Sequence, residues 1–173
     1  QAARVLPPAA RGPDLLRGRL VGLDGTPRAL DRYRGKVVMV VNTASRCGFT
    51  PQYAGLEQLW RARRAEGLVV VGVPSNDFRQ ELPSDGQVAR FCRLNYGVSF
   101  PMASRTHVTG PGAHPLFAAL AARPAPAGGA PDWNFTKYVL DRRGRLAVRF
   151  ASHIPPQDPA VGRALDRLLA EQG

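Results

Sequence analysis

Lysine is nearly absent from this chain: only Lys36 and Lys137 stand among its 24 basic residues. The arginines are scattered from Arg4 to Arg167 without a long run or an interleaved aromatic stripe. The net charge of +11 is therefore read as compositional bias beside abundant alanine, glycine and proline, and not as a nucleic-acid surface. Cysteine is scarce too. Two cysteines are too few for a disulfide scaffold, and neither lies in a CxxC or in a Cys/His cluster with zinc-site spacing. The three histidines, His107, His114 and His153, stand apart beside expected loops and are read as solvated. No apolar run is long enough to span a membrane, and no internal repeat is visible.

The 173 residues fit one compact domain able to bury a full core. Residues 1–13 carry Ala, Pro and Arg without a period and are expected to form a flexible lead-in, leaving 14–173 as the domain. Leu20 to Pro27 reads as a strand and turn, with Asp24-Gly25 as the hairpin signal. Lys36 to Val41 and Leu68 to Val73 are short β-branched runs of buried-strand type, and the stretch Gln52–Glu66 between them reads as a helix. That βαβ unit requires parallel strands. Ser84 or Asp85 is placed to cap a helix carrying Val88, Phe91 and Cys92 as far as Gly97. A short helix is expected from Pro115 to Ala122. Lys137–Leu140 and Leu146–Phe150 flank Asp141-Arg142-Arg143-Gly144 as an antiparallel hairpin, and the last helix, about Pro159 to Ala170, turns Val161, Leu165, Leu168 and Leu169 inward. These elements predict an α/β fold of thioredoxin-like kind, a central mixed sheet flanked by helices.

Cys47 is the residue with the clearest chemical prospect. It follows an apolar strand, sits in the small, polar stretch Ala44-Ser45-Arg46-Cys47-Gly48, and precedes a helix that opens near Pro51. Such a position predicts unpaired backbone N–H groups and the positive end of a helix dipole near the sulfur, with Arg46 adding to the field.

The run Asn42-Thr43-Ala44-Ser45-Arg46-Cys47-Gly48-Phe49-Thr50-Pro51-Gln52-Tyr53, followed in order by Pro74-Ser75-Asn76-Asp77-Phe78, Gln80-Glu81, Phe100-Pro101-Met102 and Trp133-Asn134-Phe135-Thr136-Lys137, resembles the motif set of the glutathione peroxidase family. The likeness runs from about Leu15 to the C-terminus. It implies a thioredoxin-like enzyme that reduces hydrogen peroxide and organic hydroperoxides, with Cys47 where some relatives carry selenocysteine. It also implies that Gln80, Trp133 and Asn134 surround the sulfur as neutral hydrogen-bond donors. The sequence departs from the family in one place: Arg79 alone separates Phe78 from Gln80, where an extra residue is usual, so Gln80 is assigned by its Gln-Glu context.

Cysteine at position 47 resembles the family members that prefer thioredoxin to glutathione, and no bound cofactor is expected. Cys92 lies 45 residues further on, where some of those members have a resolving cysteine; the alternative is a small buried hydrophobe beside Phe91. The segment before Trp133 lacks the long insertion of the tetrameric relatives, which predicts a monomer with an open site. The competing reading is a thioredoxin-like redox binding module or metallochaperone without peroxidase activity, and residues 48–50 offer no second cysteine or histidine for it. The start at Gln1-Ala2-Ala3 without Met, followed by the Pro/Ala/Arg segment, predicts a bacterial periplasmic or secreted protein in slight preference to a cytoplasmic one.

Overall fold

The computed structural model describes residues 3–173. A mixed sheet in the order β4-β3-β5-β6 organises the chain. β3 (Val37–Thr43) pairs in parallel with β4 (Leu68–Pro74) and antiparallel with β5 (Lys137–Leu140), which pairs antiparallel with β6 (Leu146–Phe150). Every residue of β3 is buried, as expected of a central strand covered on both faces. Its side chains divide with the period of two. Val37, Met39 and Val41 join a core with α1 (Gln52–Arg63), α2 (Asp85–Tyr96) and α4 (Pro159–Ala170), whereas Val38 and Val40 join a second core with α3 (Pro115–Ala122). A separate small hairpin, β1 (Arg19–Val21) and β2 (Pro27–Ala29), turns at Asp24-Gly25, where Gly25 takes a φ of 81° and Asp24 Oδ1 accepts the Thr26 N–H.

Helix ends follow local chemistry. Ser84 caps α2 by accepting the Gln87 N–H, and Gly97 closes that helix in the left-handed region. His114 and Asp158 cap α3 and α4. The helix expected to reach Glu66 is α-helical only to Arg63 and tightens to a 3-10 turn over Arg64–Glu66 before the left-handed Gly67. In α4, Val161, Leu165 and Leu168 are buried as expected, and Leu169 is partly so. Gly72 in β4 has a packing reason: a Cβ there would collide with the Met102 sulfur. Its bare backbone instead bonds on both sides to the Pro101-Met102-Ala103 segment.

The expected flexible lead-in is corrected over residues 3–13, its first two residues lying outside those described. Leu6 N–H bonds to the Ala147 carbonyl, Pro8–Ala10 form a 3-10 turn, and Arg11 is fully buried. Its guanidinium donates to Asp141 at 3.0 Å and to both Glu171 oxygens at 2.6 and 2.8 Å. An aperiodic sequence conceals this because one buried, doubly paired arginine anchors the segment where a hydrophobic stripe would ordinarily be sought.

Candidate active site

Cys47 lies in the turn that carries the chain from β3 into α1, and it is 8% exposed. Thr50 shapes that turn: its hydroxyl accepts the Cys47 N–H at 2.9 Å and donates to the Ala44 carbonyl at 2.9 Å. The Phe49 N–H donates to Cys47 Sγ at 3.3 Å. A backbone amide of the loop itself thus serves the sulfur. The N–H groups of Gln52, Tyr53 and Ala54, at the start of α1, are taken by the carbonyls of Phe49, Thr50 and Pro51. Arg46 points to solvent.

Gln80 and Asn134 meet. Asn134 Nδ2 donates to Gln80 Oε1 at 3.1 Å, which leaves the Gln80 amide nitrogen as a free donor. The Gln80 carbonyl accepts the Arg46 N–H at 2.8 Å, so the Gln80 segment is tied to the Cys47 loop at the residue beside the sulfur. Arg79 takes a φ of 60°, which turns the chain back over Asn76, whose carbonyl accepts the Arg79 N–H. Trp133 is half-buried and packs on Phe78, ring centroids 5.4 Å apart. Asn42 Nδ2 and the Thr136 hydroxyl both donate to the Trp133 carbonyl, fixing the Trp133-Asn134 turn against the end of β3, and the left-handed Phe135 (φ 64°) completes it. Cys47, Phe135 and Cys92 share one core cluster, with Trp133 and Phe49 packed against it.

Cys92 is 3% exposed on α2. Burial pushes its thiol up to about 11, the Glu81 charge adds to that, and the nearby Tyr53 hydroxyl opposes it. In the intact helix this sulfur is therefore almost wholly protonated at neutral pH. Both cysteines are free thiols.

Sequence reasoning missed three supports. Thr50 stands three residues after Cys47, a side-chain-to-backbone spacing that the sequence displays. Asn42 stands next to the end of a strand otherwise made of apolar residues and Thr43, a polar anomaly in a buried run. Glu81 is 8% exposed and accepts the Ser45 N–H at 3.1 Å and the Leu82 N–H at 2.8 Å. Burial raises its carboxyl above the usual range, against the pull of hydrogen bonds from Ser45 and Leu82. Among the described residues no group of three His, Cys, Asp or Glu side chains is arranged to hold a metal, and no helix is long and apolar enough to cross a membrane.

A mixed four-stranded sheet with a single thiol in the turn between its central strand and the next helix defines a thioredoxin-like oxidoreductase. The comparisons narrow the class. The family model described as glutathione peroxidase matches residues 18–121. The "Hydroperoxy fatty acid reductase gpx1" of Synechocystis is 47% identical over 155 residues, 85% of this chain and 90% of that protein. The "Thioredoxin/glutathione peroxidase BtuE" of Escherichia coli is 35% identical, over 86% of this chain and 93% of its own. The crystal structure of Trgpx in apo form superposes with a TM-score of 0.75 at 29% identity, covering 94% of this chain and 99% of that one. The chain belongs to the glutathione peroxidase family and is a thiol peroxidase, supplied with electrons by a thiol donor.

Proposed function

We propose that Cys47 is the peroxidatic residue, that Gln80, Trp133 and Asn134 serve it as hydrogen-bond donors, and that Cys92 resolves the oxidised form. The observation that carries this reading is the junction at Arg46: one backbone hydrogen bond joins the Cys47 loop to Gln80, and one side-chain bond joins Gln80 to Asn134.

In the first step the Cys47 thiolate attacks one peroxide oxygen and the O–O bond breaks. The sulfur becomes sulfenic acid, and the departing hydroxide or alkoxide takes a proton to leave as water or alcohol. Neutral donors suit this step because they stabilise charge on sulfur and on the leaving oxygen without themselves titrating. In the second step Cys92 condenses with the sulfenic acid to give a disulfide and water. α2 offers the freedom this requires, for only Val88 and Cys92 of its residues are buried and Leu94 is 66% exposed.

The donor is a dithiol protein of thioredoxin type in preference to glutathione, since an intramolecular disulfide is best removed by a partner that can close its own. A lipid-derived hydroperoxide fits the substrate class, in keeping with the name of the Synechocystis relative. The short segment before Trp133 supports a monomer, which sedimentation at micromolar concentration checks.

Peroxide consumption by Cys47→Ser with a thioredoxin system tests the central role. Loss of turnover with an unchanged circular-dichroism spectrum is expected, and a variant keeping most of its rate overturns the assignment. Peptide mass spectrometry under non-reducing conditions, after one equivalent of peroxide, tests Cys92. A Cys47–Cys92 peptide is expected, reduced much faster by thioredoxin than by glutathione. An unlinked Cys92 peptide beside a lasting sulfenic acid or glutathione adduct on Cys47 would replace it with a one-cysteine cycle.

A further inference from the structure

Beneath the Cys47 loop lies a group of buried polar atoms that form no hydrogen bond: Glu81 Oε2, Ser45 Oγ, Thr43 Oγ1 and Tyr53 OH. Buried polar atoms are ordinarily paired, and a carboxylate oxygen left bare inside a core is costly. Glu81 is attached to the loop through the Ser45 N–H, two residues before Cys47. Tyr53 is fully buried, and its hydroxyl lies beside the Cys92 thiol and the Thr43 hydroxyl without closing a hydrogen bond to either. Glu81 is near enough to both for its charge to raise the Tyr53 hydroxyl and the Cys92 thiol. Arg105, itself paired to Asp85, also acts on Glu81 and favours its charged form.

This arrangement poses a chemical problem. The resolving step consumes a Cys92 thiolate, but the protein keeps that sulfur protonated and places a carboxylate nearby. Two anions in one buried chamber are prohibitive, whereas moving one proton between them keeps its charge constant.

Building on the two-cysteine reading, we propose that Glu81 is the general base of the resolving step, receiving the Cys92 proton across the Tyr53 hydroxyl. As α2 loosens and Cys92 swings toward Cys47, the thiol proton passes to Glu81 and the sulfur lone pair attacks Cys47 Sγ. The S–O bond of the sulfenic acid breaks, and the departing hydroxide takes the proton from Glu81 and leaves as water. Cys92 sulfur is oxidised and Cys47 sulfur reduced, with no outside reductant, and the carboxylate is restored. Because Glu81 is bonded to the Ser45 N–H of the Cys47 loop and not to α2, it keeps its place while α2 moves.

The test separates the two half-reactions in rapid mixing with peroxide, following Cys47 oxidation by sulfenic-acid trapping and disulfide formation by quenched mass spectrometry. Glu81→Gln keeps a carbonyl oxygen for the Ser45 and Leu82 N–H groups but cannot accept a proton. Disulfide formation at pH 7 is expected to slow about 10²-fold, far more than Cys47 oxidation, and to recover as pH rises. Glu81→Asp should restore part of the rate, and Tyr53→Phe, which leaves the carboxylate in place, should slow the same step. Disulfide formation in Glu81→Gln at the wild-type rate and with the wild-type pH profile overturns the proposal while leaving the two-cysteine cycle standing. Equal slowing of both half-reactions overturns it in favour of a purely structural Glu81. Absence of the disulfide in the wild-type protein overturns the cycle and the proposal with it.

Discussion

The Asn134 amide donates to Gln80 Oε1 at 3.1 Å, so the two proposed donors, from loops 54 residues apart, are held together as one unit. Removing either frees the other from its restraint as well as deleting a donor. Gln80→Ala and Asn134→Ala are each expected to slow Cys47 oxidation on the order of 10²-fold, and the double variant to be little slower than the worse single. A double-mutant cycle on the oxidation rate decides it. Fully additive losses would mean that the two amides act independently.

Lys137 closes the Trp-Asn-Phe-Thr-Lys motif from below. It is fully buried, and its Nζ donates to the carbonyls of Ile154 at 2.6 Å, Ser152 at 3.0 Å and Ala151 at 3.4 Å. Burial lowers its pKa to about 7. A lysine depressed on folding binds its proton more weakly in the native state, so stability rises with pH across the window between about 7 and about 10, by at most ~1.4 kcal/mol per pH unit. That contribution is complete above the unfolded pKa and is lost as pH falls through the folded one. Burial of Cys92 and Tyr138 favours their protonated forms and acts in the opposite sense at the alkaline end. The difference between wild type and Lys137→Met therefore isolates the lysine. Urea unfolding at a series of pH values should show a positive slope that the variant lacks, and equal slopes would mean that the three carbonyls keep the amine charged throughout.

Arg11 holds the N-terminal segment through Asp141 and Glu171, and its side chain has no exposed surface. Arg11→Ala should cost about 3 kcal/mol, because it strands two carboxylates, one of them buried, and releases the segment that binds Ala147 through Leu6. Denaturant unfolding gives the loss, and hydrogen exchange at Leu6 shows the release. A loss below ~1 kcal/mol, the scale of a surface pair, would show that Arg145 alone compensates Asp141, to which it donates at 2.9 Å.

The βαβ unit and the late hairpin were legible because each strand is a β-branched run bounded by turn residues, and burial of β3 on both faces rewards such a run. The Cys47 loop was legible as a place for a thiol, but the source of its donor was not. Whether the first amides of a helix are free depends on whether the preceding turn continues into it, and the bonds from residues 52–54 to residues 49–51 are set by that geometry. Gln80 was identifiable only through its neighbour Glu81, since the turn at Arg79 is a backbone event at a residue with no strong left-handed preference. Glu81 served as the marker for Gln80, but its own burial was not legible, because nothing in the neighbouring residues encodes it. The proximity of Cys92 to Tyr53 and Glu81 joins three segments distant in sequence, and no spacing in the chain encodes it.

The cap of α2 links stability to turnover. Ser84 Oγ accepts the Gln87 N–H at 3.2 Å and satisfies one amide of the first turn. The helix it holds buries only Val88 and Cys92, and Gly97 ends it five residues after Cys92. If Cys92 reaches Cys47 by partial unwinding of α2, the rate of disulfide formation is the opening equilibrium multiplied by the chemical step. Ser84→Ala should weaken the helix by about 1 kcal/mol, and so raise the open population roughly fivefold by that same energy. The change lies outside the candidate donor set, so oxidation of Cys47 should be unaffected while disulfide formation accelerates about fivefold, the reverse of the usual effect of a destabilising substitution on an enzyme. Quenched-flow mass spectrometry after one equivalent of peroxide measures both rates in a single experiment, and hydrogen exchange across 85–96 reports the opening. Faster exchange with an unchanged disulfide rate would show that Cys92 reaches Cys47 without unwinding α2, and would shift control of resolution to the chemistry around Glu81.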